Sequence, residues 1–173
     1  MVVLFLFSYY PAIPSPVFGL FVDNIAAIQS KRLLLLIFFA VLTVNHFIIN
    51  AKKDALLLLI FSLFAILVLL STNDFFLLFL GIELLALSSY CLVALHKTRY
   101  SLEASLKYFS VGVLGASFLL FGIFFYYYLH ETTCFLAGSS KAVGTTTQSG
   151  MFACCLFLLA AFFIKLGIAP FHY

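Results

Sequence analysis

The sequence predicts an all-α protein, a polytopic transmembrane helix bundle. Three observations predict it. Of 173 residues, 65% are hydrophobic and only 9% charged, and the mean hydropathy is +1.23. No water-soluble domain buries that much apolar surface, so the bilayer is the solvent this composition suits. Long apolar runs recur, separated by the short polar connections NAKKD (50–54), STND (71–74) and HKTRYS (96–101). Connections of that length force consecutive helices to be antiparallel neighbours, which makes one membrane domain. Finally, the net charge of +3 is spread over nine basic and six acidic side chains with no basic stripe, which excludes a nucleic-acid surface.

The elements follow in order. Residues 1–32 read as a non-spanning segment: the apolar run 2–10 is too short to cross, and YPAIPSP (10–16) breaks it with three prolines. Residues 33–173 read as a membrane domain with spans at 33–49, 55–70, 75–95, 102–129 and 151–171. The first two sit at the short end of the range for crossing, and the other three reach the ~20 residues that a bilayer core demands. The fourth has its N-cap at Ser101, and Tyr126–Tyr128 marks its far interface as an aromatic belt. His46, beside Asn45, reads as interfacial. Residues 130–150, rich in Ser, Thr and Gly, read as a polar surface loop. Lys52, Lys53, Lys97 and Arg99 face Lys31, Arg32 and Lys141 across the membrane, a slight bias placing the first group in the cytoplasm or matrix. MVVLFLFSYY has neither a basic n-region nor a small-residue cleavage site, and it is not an Arg-rich transit peptide. A mitochondrial location then implies synthesis inside the organelle.

Charges within the spans need an account. Glu83 lies two residues from the midpoint of 75–95, about 3 Å along the axis. A carboxylate has no stem long enough to snorkel, so it is either a neutral acid bonded to a neighbour or an ion- or proton-handling group. The second reading is preferred, with Tyr90, seven residues on and on the same face, as a hydrogen-bond donor. Lys165 stands four residues past the centre of 151–171, about 6 Å off the midplane. Snorkelling accounts for a lysine at that depth, but its neighbours point elsewhere. Pro170 cannot donate to the carbonyl of Leu166, and Gly167 weakens the same turn. Irregular backbone at that depth must be buried in protein or meet water, the usual setting of ion transfer. His172 adds a titratable group near the same end.

Glu103 and Lys107 form an i,i+4 pair in the favoured order, and with Ser110 and Ser117 they fall within ~80° on a helical wheel. This is either a polar stripe leading into the membrane or an interfacial salt bridge with two incidental serines. Gly112 and Ala116 form a small-x-x-x-small pair for close helix packing. Cys91, Cys134, Cys154 and Cys155 have no C-x-x-C or zinc-like spacing and read as small apolar residues, so no metal site is expected. Three helices thus contribute ionisable groups: Glu83, Glu103 with Lys107, and Lys165. Pairing favours the charged forms of a Glu–Lys couple, and desolvation opposes them. A couple that is separated and rejoined can release and reload a proton, with energy supplied from outside the chain.

FLGIELLALSSYCLVAL (79–95), SLEASLKYF (101–109) and FFIKLGIAPFH (162–172) together resemble the antiporter-like membrane subunits of respiratory complex I, in the subunit 2 (NuoN-type) branch of NADH:ubiquinone oxidoreductase. FGLFVDN (18–24) and LLSTNDFFLLFLGIE (69–83) fit the same family, so the resemblance runs over roughly residues 18–173. It implies half of an antiporter-like inverted-repeat subunit with a discontinuous C-terminal helix, broken at KLGIAPFH. It implies that Glu83 is the intramembrane glutamate, Lys165 its partner lysine, and Lys107 the additional lysine between them. It also implies proton translocation driven by distant quinone reduction. No redox cofactor is implied in this chain; NADH, FMN, iron–sulfur clusters and ubiquinone belong to the parent complex. Family members continue past this length, so the expected partners are other membrane-arm subunits, the lipid bilayer and a second chain carrying the C-terminal half. A split subunit and a composition of 23 Phe and no Trp lead to the mitochondrial inner membrane as the expected location, with a bacterial inner membrane as the alternative. A related multisubunit Na⁺/H⁺ antiporter, a membrane-bound hydrogenase component and a purely structural anchor are the competing readings.

Overall fold

A computed structural model describes residues 21, 25–44, 53–135 and 145–168. Among them are five helices: α1 (Ile25–Val44), α2 (Lys53–Ser71), α3 (Phe75–Ala94), α4 (Arg99–His130) and α5 (Thr145–Lys165). By length and composition the first four suit a bilayer crossing, whereas the apolar part of α5 is confined to Ser149–Lys165. The segment 1–20, His46, Lys52, Lys141, Pro170 and His172 lie outside the described residues.

Asp74 starts α3. With extended backbone (φ −134°, ψ 135°), its carboxylate accepts from the amides of Phe76 at 2.7 Å and Leu77 at 3.3 Å, which satisfies two of the unpaired donors of the first turn. The same carboxylate, 3% exposed, accepts from the Thr133 hydroxyl just beyond the end of α4. The Phe75 amide donates to Thr133 O at 3.0 Å, and the Phe135 amide to Asn73 O at 3.0 Å. The Phe75 ring lies between those of Tyr126 and Phe135, at 4.5 and 4.6 Å. The start of α3 and the strand of chain leaving α4 are therefore fastened as one unit.

Small residues set how closely the helices pack. A methyl built on Gly81 of α3 would sit 2.7 Å from Leu69 Cδ2 of α2, beside the fully buried Ala65. One built on Gly122 of α4 would sit 2.7 Å from Leu158 Cδ2 of α5, and the Cys154 thiol reaches the Gly122 carbonyl at 3.3 Å. Such close approach lets backbone and side chain make dispersion contacts that lipid would not supply better elsewhere. The core gathers where α3, α4 and α5 meet: Leu119, Ile123 and Ala161 are buried against Phe75, Leu78, Phe79, Ile82, Phe118 and Leu158. The α4–α5 interface is the most extensive, and α1 touches only α2 to any degree.

Helix limits differ from those expected at each polar margin. α1 begins at Ile25, so Lys31 and Arg32 belong to a helix and not to the segment 1–32. α5 begins at Thr145, inside the predicted loop 130–150. Hydropathy marks where a helix is apolar, whereas backbone hydrogen bonding continues through its polar first turns. The N-cap of α4 is Thr98, whose hydroxyl accepts from the Ser101 amide at 3.2 Å, while Ser101 itself donates to Val93 O. The predicted helix 151–171 ends at Lys165, and the reason lies at the candidate site.

Candidate functional site

Gly167 has φ +64°, the left-handed region that a residue without Cβ enters freely. Its amide donates to Ile164 O at 3.1 Å, and the Ile168 amide donates to Phe163 O at 3.0 Å. This crossed pair is the Schellman arrangement that closes an α-helix, with glycine at the position following the cap. The helix thus ends at Lys165, five residues before Pro170, and the glycine geometry is sufficient to stop it. Lys165 is the last helical residue of α5, where the aligned carbonyls present the negative end of the helix dipole and favour a cation.

From that helix end the Lys165 ammonium reaches Glu83 of α3: Nζ donates to Oε1 at 2.5 Å, with the two side chains 15% and 22% exposed. The lysine does not run out towards an interface. Ile164 beside it is buried, and the lysine stem passes Gly115 of α4, where a methyl would lie 3.5 Å from Lys165 Cε and 3.1 Å from Ile164 Cγ2.

The register of α4 against α5 fixes how deep this site lies. Gly150 faces Leu129, Leu158 faces Gly122, and Ile164 and Lys165 face Gly115. α5 therefore descends along α4 residue for residue and ends beside Gly115, sixteen residues short of Arg99, where α4 begins. At 1.5 Å per residue, about 24 Å of α4 continues beyond the end of α5. Glu83, the ninth of twenty residues in α3, is in the middle part of its own helix, eight residues from Phe75 and eleven from Ala94. The ion pair sits at mid-depth, at the end of a helix that goes no further among the described residues.

The other expected residues are placed differently. Glu103 and Lys107 pair along α4 at 2.7 Å, with Lys107 71% and Glu103 57% exposed. Lys107 is eight residues from Gly115, about 12 Å along the axis, and it is not brought to the Glu83–Lys165 pair. Ser110 and Ser117 bond back to their own helix, to the carbonyls of Lys107 and Val113. Tyr90 is buried, its ring edge-on to Tyr108 at 4.6 Å, and its hydroxyl fills the space left by Gly112. Among the described residues no hydrogen bond joins it to Glu83. Two contributors were not singled out from sequence. Gly115 stands three residues from Gly112 on the same helix, a spacing that was available to reading. Asp74, directly before an apolar run, carries the signature of an N-cap.

Residues 72–173, which hold every residue of the site, match the family described as NADH:quinone oxidoreductase/Mrp antiporter, transmembrane. The chain belongs to that family. Within it, the likeness is to the NuoN-type, antiporter-like subunit of complex I. Subunit N of the NADH-quinone oxidoreductase of Cupriavidus taiwanensis is 41% identical over 118 residues, 67% of this chain and 24% of that protein. Subunit N of Acidithiobacillus ferrooxidans is 32% identical over 164 residues, 89% of this chain and 33% of that protein. A chain in the structure of respiratory complex I from Thermus thermophilus with bound aureothin superposes over 99% of this chain and 37% of its own length. The TM-score is 0.76 at 24% identity, a likeness of fold. The chain spans about a quarter to a third of the length of these curated relatives.

Proposed function

We propose that this chain forms part of the proton-translocating membrane arm of NADH:quinone oxidoreductase, and that Glu83 and Lys165 are its proton-handling couple. One observation carries the reading: a Glu–Lys ion pair at mid-depth, joining a continuous helix to the Schellman end of another. While the two groups touch, each stabilises the other's charge. When Glu83 is drawn away, Lys165 is left as an isolated ammonium in a poorly solvated site, and release of its proton to water becomes favourable. Return of the carboxylate reloads it. The break in α5 suits this role because a helix end pivots with little disturbance of the helix behind it.

Lys107 with Glu103 serves as an outer station near the start of α4, where the proton is exchanged with the subunit's surroundings. Tyr90 packs the space between the two pairs. The driving energy comes from quinone reduction elsewhere in the parent complex, which supplies the NADH, FMN, iron–sulfur and ubiquinone chemistry. Other membrane-arm subunits and the remaining length of the subunit complete the path. The proposed compartment is an energy-transducing inner membrane. The Phe-rich, Trp-free composition favours the mitochondrial one, and the relatives named above are bacterial. The family's description also covers Mrp antiporters, but the relatives favour the quinone oxidoreductase.

The test is Lys165→Met in the intact complex. Glu83 then neutralises by protonation and remains tolerated where it is. Expected are an assembled complex and the loss of the protons this subunit contributes per NADH oxidised. Unchanged pumping would refute the reading, and purification of the chain without any NADH-oxidising assembly would refute its placement.

A further inference from the structure

The contact of Lys165 with α4 carries an inference beyond the couple itself. Helix α4 passes the end of α5 at Gly115, and the slot left by its missing side chain is occupied by Ile164 Cγ2 and the Lys165 stem. Gly112, one turn earlier, serves a different neighbour: it receives the Tyr90 hydroxyl of α3. Gly122, two turns later, receives Leu158. Of the glycines on this helix, only Gly115 has the ion-pair lysine within van der Waals reach of a built methyl. A methyl would press on Ile164 Cγ2, which has to give by a few tenths of an ångström, and would touch the lysine stem at ordinary contact distance; a branched side chain would press on both.

We infer that Gly115 is a positioning residue for proton transfer: it sets the seat of Lys165 so that the ammonium meets Glu83. The inference rests on the proposed role of the couple. A methyl at position 115 shifts this seat by tenths of an ångström and a branched side chain by more, and the ammonium is moved relative to Glu83 accordingly. Displacements of an ångström at a reacting group cost up to ~100-fold in rate. A residue that merely packed two helices would show its loss in assembly and thermal midpoint and leave the Glu83 carboxyl signal of the assembled complex unchanged.

Gly115→Ala, Gly115→Val and Gly115→Ala combined with Ile164→Leu test this in the intact complex, with Lys165→Met as reference. Leucine keeps the volume of isoleucine but lacks the Cγ2 methyl that the new Cβ would meet. Pumping per NADH, the amount of assembled complex, and the infrared carboxyl signal abolished by Glu83→Gln are read together. Expected is about a tenfold loss of this subunit's pumping in Gly115→Val, a smaller loss in Gly115→Ala, and a larger protonated-carboxyl signal of Glu83 at wild-type assembly. Ile164→Leu should recover most of the alanine variant's loss. If Gly115→Val does not assemble, the alanine variant and its rescue decide. Wild-type pumping and carboxyl signal in the Gly115→Ala complex, with Lys165→Met inactive, would overturn the inference and leave the couple standing. Loss of pumping that Ile164→Leu fails to relieve would overturn it too. Wild-type pumping in Lys165→Met would instead overturn the couple.

Discussion

Two Glu–Lys pairs with nearly the same N–O separation sit in this chain, 2.5 Å for Glu83–Lys165 and 2.7 Å for Glu103–Lys107. Their surroundings make them different objects. The second joins residues one turn apart on a single helix, with both side chains more than half exposed, so nothing but side-chain torsion can separate them. The first joins α3 to the end of α5 across 82 residues of sequence, with both side chains largely covered. Here a small movement of one element separates the charges, and separation in a poorly solvated place has a large energetic consequence. Distance alone therefore does not distinguish the two pairs. The independent mounting of the first pair's two halves does.

The largest effect expected from this contrast is Glu83→Gln, which keeps shape and removes charge. In assembled complex it should abolish the subunit's share of pumping, measured as protons moved per NADH oxidised. Glu103→Gln under the same conditions should leave a substantial share.

Next come changes to the mounting. Gly122→Val drives side-chain atoms into Leu158, whose backbone nitrogen would lie 3.2 Å from even a methyl. The resulting overpacking costs about 1–3 kcal/mol, seen as a lowered thermal midpoint of the complex and as α5 displaced from α4. Asp74→Ala removes an N-cap, worth about 1–2 kcal/mol, and strands the Thr133 hydroxyl that it accepts from. It should lower the same midpoint, while Asp74→Asn should recover part of the loss because the amide oxygen still caps α3.

The smallest effect belongs to Lys107→Met. Assembly and thermal midpoint should stay at wild-type values, because an exposed i,i+4 pair contributes little to stability. Pumping should fall less than in Glu83→Gln. If it falls equally, the two pairs act as one unit.

The sequence made some of this legible and hid the rest for identifiable reasons. Apolar run length and short connections were enough for the helical bundle, because a bilayer leaves few alternatives for buried backbone. Glu83 and Lys165 were legible as isolated charges in apolar surroundings, and the i,i+4 pairing of Glu103 with Lys107 was legible because it is local. Helix ends were not: the apolar turn at Ile25 is set apart from the span by the polar stretch 29–32, and Thr145 begins a polar turn that hydropathy does not see. Gly167 and Pro170 together read as the break in the last helix; Gly167 closes it through hydrogen bonds set by a backbone angle that residue names only permit, and Pro170 lies outside the described residues. Gly115 escaped notice because a glycine's role depends on what stands opposite, and the register of α4 on α5 is a tertiary fact. Tyr90 was expected to reach Glu83 from its spacing of seven, but its hydroxyl turns to the opening at Gly112.

The central claim is that Glu83 and Lys165 act as one couple, and a double-mutant cycle tests it most directly. Pumping per NADH is measured in assembled wild-type complex, in Glu83→Gln, in Lys165→Met and in the double variant. Members of one functional unit are strongly non-additive, so the double variant should lose no more than either single one. Losses that simply multiply, or a single variant that pumps as wild type does, would contradict the claim.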